Sequence, residues 1–143
     1  LSFKGKIMAT QPSIIVSSVD FERLDQLLSS KLYNRLPGVE ALENELGRAS
    51  VVEPADVPPE VVSMNSLVRF IEDKSGAESQ LTLVYPHEAG PADTVSILAP
   101  VGGALLGLSV GQSILWQVPG GREISLRVLA VVRQPEALGA LQH

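Results

Sequence analysis

The chain has 143 residues, a net charge of −5, and 45% hydrophobic against 19% charged residues, the balance of a folded protein and not of a disordered one. Cysteine is absent, which removes disulfide frameworks, thiolate zinc sites and cysteine nucleophiles and permits a reducing compartment. No run approaches the roughly 18 apolar residues of a membrane span, the N-terminus lacks the order of a signal peptide, and the nine lysines and arginines after Met8 are scattered. Membrane insertion, secretion and direct binding to a nucleic-acid backbone are therefore not expected, because the last needs clustered cations. The expected setting is cytoplasmic.

Residues 1–11 are expected to be extraneous or disordered, since Leu1 to Ile7 precede a natural start at Met8. Residues 12–50 then carry apolar residues at helical spacing. Ser17 or Ser18 caps a first helix with Phe21, Leu24 and Leu28 on one face and Asp20 and Glu22 at its favourable N-terminal end. Pro37, at a first-turn position, opens a second helix in which Val39, Leu42, Leu46 and Ala49 repeat while Glu43, Glu45 and Arg48 face outward. Joined by Ser29 to Leu36, the two form a short antiparallel helical hairpin with coiled-coil-like stripes, two or three turns per helix. Residues 51–60 hold three prolines in the run Pro54 to Pro59, which lack a donor and fix φ, and read as a stiff linker.

From residue 61 to 143 the pattern changes to short alternating runs, and the chain as a whole is expected to be α+β. Strands are predicted at Leu67–Ile71, Gln80–Tyr85, Thr94–Leu98, Ile114–Val118 and Glu123–Val132, as an antiparallel sheet domain. Asp73-Lys74-Ser75-Gly76 and Pro119-Gly120-Gly121 suit turns, where glycine takes positive φ without steric cost. Pro100 to Leu108 reads as one short helix, its glycines permitting close approach to a sheet. The run Gly102 to Gly107 is no phosphate loop: a P-loop needs lysine and a hydroxyl after its last glycine, and Leu108 stands there.

Ser96-Ile97-Leu98-Ala99-Pro100, then Gly103-Ala104-Leu105-Leu106-Gly107, Val110-Gly111-Gln112 and Pro119-Gly120-Gly121 follow one another in an order that resembles the C-terminal domain of the Gre transcript-cleavage factor family. Glu60 to Ser66, Thr82-Leu83-Val84-Tyr85-Pro86 and Gln134-Pro135-Glu136-Ala137 extend the similarity along the chain from Pro12, toward a branch of that family tied to regulation of nucleoside diphosphate kinase. The resemblance implies an FKBP-like C-terminal domain that grips the rim of the secondary channel of bacterial RNA polymerase, with the helical hairpin pointing into it. The positions matching the family's polymerase contacts are Leu98, Ala99 and Pro100. Only the proline of the family's acid-serine-proline set is kept, and it equally suits a helix start.

A second departure concerns chemistry. Gre factors place paired carboxylates from a long coiled-coil tip beside magnesium, a hard cation that takes oxygen ligands. Between Ser29 and Gly38 this chain has no Asp or Glu; its tip offers Lys31, Tyr33, Asn34 and Arg35, of which Lys31, Tyr33 and Arg35 are candidate polymerase contacts. Transcript cleavage is thus not expected, nor is any cofactor, metal or enzymatic activity. The expected role is occupancy of the channel entrance by a monomer that competes with longer-armed factors. The alternative is a regulator of nucleotide metabolism acting through another protein. His87 beside Glu88 lacks further ligands for a metal, no Ser-His-Asp set is recognisable, and Phe21, Tyr33, Phe70, Tyr85 and Trp116 are too few to wall a prolyl-isomerase pocket.

Overall fold

The computed structural model describes residues 12–117 and 121–137. Residues 1–11, for which extraneous sequence or disorder is expected, lie outside them, as do Val118 of the fourth predicted strand and Pro119-Gly120 of the second predicted turn. The architecture mixes helix and sheet. A three-residue strand, β1 (Ile15–Ser17), runs directly into helix α1 (Ser18–Ser29), and helix α2 (Val39–Gly47) leads into a second short strand, β2 (Ser50–Val52). The two strands pair in parallel, Ile15 opposite Ser50 and Ser17 opposite Val52.

Ser17 caps α1, its Oγ accepting a hydrogen bond from the Asp20 amide at 3.0 Å. The buried face of α1 is Asp20, Leu24 and Leu28; that of α2 is Val39, Leu42 and Leu46. Pro37, expected inside the first turn of α2, precedes it. Gly38 is the cap at φ 90°, a left-handed conformation that a helical residue does not take and that glycine adopts at little cost, so the helix begins at Val39. The proline-rich stretch holds more regular structure than a linker needs: β2 extends into it, Pro54–Asp56 form a 3-10 turn, and Val57 is buried.

The sheet comprises β3 (Leu67–Glu72), β4 (Glu78–Val84), β5 (Thr94–Ser96), β6 (Ser113–Gln117) and β7 (Glu123–Arg133), in the order β5-β4-β3-β7-β6. Neighbours are antiparallel except β4 and β5, which run parallel with Thr82 opposite Thr94. A wholly antiparallel sheet was the expectation; the parallel pair arises because the chain crosses from β4 through the 3-10 turn Pro86–Glu88 and returns in the same direction. Thr94–Leu98 is shorter than expected, ending at Ser96, whose carbonyl takes the Ala99 amide at 3.0 Å and turns the chain toward helix α3 (Pro100–Leu105). That helix stops before Gly107, which stands at φ 81°.

Ile114 and Trp116 of β6, Leu126 and Val128 of β7, and Val68 and Phe70 of β3 are buried in one apolar cluster, and α3 packs on β5, β6 and β7. Leu24, Leu28, Val39, Leu42 and Leu46 join the same apolar cluster as Ile97, Leu105 and Trp116. The helices α1 and α2 therefore share a core with the sheet, which fixes the direction in which the turn between them projects. No helix among the described residues is long and apolar enough to cross a membrane.

Candidate docking surface

The loop Leu98-Ala99-Pro100 is built from below. Ile97 is buried as its plug, and Ser96 holds the bend twice: its Oγ accepts from the Leu98 amide at 3.1 Å and its carbonyl from Ala99. Ala99 is the extended cap of α3 and offers no side-chain hydrogen bond, while Pro100 occupies the first helical turn, where its missing N–H costs nothing. The close approach of α3 depends on glycine. A Cβ at Gly102 would overlap the Ser96 carbonyl oxygen, and one at Gly103 would stand 3.3 Å from the Trp116 ring. Leu98 is half-buried against the core and Pro100 is exposed.

This loop does not stand apart from the helices. A narrow crevice is lined by Leu98, Ala99 and Pro100 on one side and by Pro37, Gly38 and Leu42 on the other, with Trp116 between them. The predicted site residues of the tip lie farther along the same turn. Lys31 and Arg35 are exposed, whereas Tyr33 is half-buried and lines a different groove with Arg23, Leu27, Asn65, Tyr85 and His87. The structure thus brings the loop next to the base of α2, puts Tyr33 against the body, and leaves Lys31 and Arg35 in water.

A buried carboxylate ties α1 to the sheet, and sequence reasoning missed it. Asp20 Oδ2 accepts from the Met64 amide at 3.1 Å, and Oδ1 accepts from the Tyr85 hydroxyl at 3.2 Å. Burial raises the Asp20 pKa above the usual carboxylate value, the Met64 N–H opposes this, and the charge of nearby Glu136 adds to it. Burial and the Asp20 charge push the Tyr85 hydroxyl upward as well. Beside this pair, Ser63 Oγ donates to Glu136 at 2.5 Å, and Gln134 Nε2 donates to the carbonyls of Pro58 and Val61 at 2.7 and 2.8 Å. A usable signal existed in the sequence: Asp20 stands four residues before Leu24 and eight before Leu28, on the apolar stripe itself, where a carboxylate must find partners. Its place near the helix start suggested only a favourable charge.

Nothing in this arrangement supplies a set of metal ligands: no group of three His, Cys, Asp or Glu positioned for a cation occurs among the described residues. What it offers is an apolar loop braced by Ser96 and, across a crevice, the turn that leads into α2.

Residues 57–133 match the family described as the C-terminal part of transcription elongation factors GreA/GreB, and residues 12–52 match the family described as the Rnk N-terminus. The "Regulator of nucleoside diphosphate kinase" of Escherichia coli strain K12 is 46% identical over 131 residues, spanning 91% of this chain and 96% of that protein. The transcription elongation factor GreA of Geobacillus kaustophilus is 36% identical over 94 residues, 65% of this chain and 59% of its own. Among solved structures, a prokaryotic transcription elongation factor GreA/GreB from Nitrosomonas europaea superposes with a TM-score of 0.68 at 48% identity, covering 86% of this chain and all of that one.

Proposed function

From the premise that the chain belongs to the GreA/GreB elongation-factor family, in the branch with an Rnk-type N-terminus, we propose that it is a non-enzymatic, cytoplasmic accessory factor that docks on bacterial RNA polymerase at the rim of the secondary channel. The loop Leu98-Ala99-Pro100 is its grip, and the turn between α1 and α2 is a short prong directed into the opening, carried by a hairpin on an FKBP-like body. By occupying that rim it competes with Gre-type factors, and it does not stimulate transcript cleavage.

The observation that carries this reading is a braced loop at the position that matches the family's polymerase contacts, keeping their proline, together with a tip that has no carboxylate. The loop is braced by Ser96, Ile97 and the glycines of α3, and α2 backs it across the crevice, so its shape is set before any partner arrives. The turn 30–38 carries Lys31 and Arg35 but no Asp or Glu, so it lacks the hard oxygen ligands that hold a catalytic magnesium. Relatives are regulators or transcription factors. A second reading follows from the name of the Escherichia coli relative: regulation of nucleoside diphosphate kinase through a protein other than polymerase.

Competition binding with purified core polymerase separates the two. The first reading expects saturable binding that displaces a Gre factor, with no shortening of RNA in stalled elongation complexes. Absence of both binding and displacement at tens of micromolar removes it, and recovery of another enzyme in place of polymerase from lysate favours the second.

A further inference from the structure

Leu32 is 75% exposed, more than any other large hydrophobic side chain among the described residues. Its turn is not slack. The amides of Tyr33 and Asn34 donate to the Ser30 carbonyl at 3.2 and 2.9 Å, the Leu36 amide donates to Tyr33 at 3.0 Å, and the Ser30 hydroxyl donates back to Leu27 at 2.9 Å. Tyr33 leans into the groove on the body, which anchors the turn from inside, and Leu36, next to the base of α2, is itself 43% exposed. These bonds order the backbone that carries Leu32, so part of the ordering cost of a contact there is met before any partner arrives.

The flanking charges say what kind of partner. Lys31 and Arg35 are exposed and form no ion pair with any described carboxylate, in a segment without acids belonging to a chain of net charge −5. A nucleic-acid backbone would use the two cations and leave Leu32 in water. A second copy joined tip to tip would bring like charges together. Resting on the polymerase-docking reading, we propose that Leu32 is the anchor of the prong, seated in an apolar socket of the protein partner whose rim carboxylates pair with Lys31 and Arg35. The anchor sets where the short prong stops. Shape and charge of the tip, in place of magnesium chemistry, then distinguish this factor from others at the same opening.

The test is the affinity of the full chain for purified core polymerase at several salt concentrations. Leu32→Ala should weaken binding about tenfold, the size of a lost aliphatic burial, and Leu32→Asp roughly a hundredfold, because a charge then enters the socket beside like charges. The double change Lys31→Glu with Arg35→Glu should weaken binding and flatten its dependence on salt. Melting temperatures should stay at the wild-type value, since all three side chains are exposed, and Val132→Ala, 53% exposed on β7, should bind as wild type. Equal binding by wild type and both Leu32 variants overturns the anchor while leaving polymerase docking intact, as does tighter binding after charge reversal. If the wild-type chain does not bind at all, the docking reading falls and the anchor with it.

Discussion

Beside the shared apolar core, two contacts that hold the N-terminal segment to the body have opposite character. At the first, β1 meets the turn after α3 through backbone hydrogen bonds and one apolar side chain: the Ile15 amide donates to the Gly107 carbonyl at 3.2 Å, the Gly107 amide donates to Val62 at 2.8 Å, and Ile14 lies buried against the glycine. At the second, α1 meets the body through Asp20, a carboxylate held by one amide and one hydroxyl. The first junction is dry and depends on the absence of a side chain. The second is polar and depends on the presence of one.

The comparison predicts that the dry junction is the less forgiving. In Gly107→Ala, the new Cβ stands 2.6 Å from Cβ of Ile14 at a backbone φ of 81°, so steric overlap adds to left-handed strain. Overpacking and strain of this kind each cost about 1–3 kcal/mol. A total loss of about 3 kcal/mol or more is expected in chemical denaturation. Wild-type stability in this variant would mean that β1 can lift from the body freely, and the idea of a fixed prong would fail.

Asp20→Ala should cost somewhat less, about 2–3 kcal/mol, because it leaves the Met64 amide and the Tyr85 hydroxyl without their acceptor in a buried place. The loss should be confined to stability if polymerase binding is measured well below the melting temperature. A binding defect at that temperature, with helix content unchanged, would show that Asp20 also sets the angle of the prong. A loss below about 0.5 kcal/mol, the scale of an ordinary surface substitution, would show that solvent replaces the carboxylate and that the polar junction holds little.

The difference between the junctions also explains what could be read in advance. Periodicity placed α1, α2 and the five sheet strands because burial imposes a period of 3.6 or 2 on apolar residues. The glycines of α3 were legible as a close helix-sheet approach, and Gly102 and Gly103 face Ser96 and Trp116 at contact distance. The parallel pairs were not legible: β1–β2 joins three-residue strands 35 positions apart, and neither strand is long enough to show alternation. Of the site, the loop Leu98-Ala99-Pro100 came from motif order, and the tip from its lack of acids. The crevice joining that loop to Pro37 and Gly38, and the Asp20 junction, required coordinates, because both bring together residues far apart in the chain.

The smallest effect is the most specific to the polar junction. Burial raises the Asp20 pKa above its ordinary value of 3.8 in the folded protein, so between 3.8 and the folded value the native state binds more protons than the unfolded chain. Stability from this group is therefore fully present below pH 3.8 and is lost as pH rises through the folded pKa. Glu72 and Glu88 act in the opposite sense, since hydrogen bonds lower their pKa values and their contribution fades as pH falls. The net curve mixes both signs, which makes the difference between two chains the informative quantity. Asp20→Asn keeps the junction's shape, with the amide oxygen accepting from Met64 and the amide nitrogen donating to the Tyr85 oxygen, and it cannot titrate. The melting temperature of Asp20→Asn relative to wild type should thus rise as pH goes up from 3.8 through the folded pKa, then level off. A difference that stays flat, or that falls over the same range, would mean that the folded protein holds Asp20 charged at no cost, with its two donors outweighing burial.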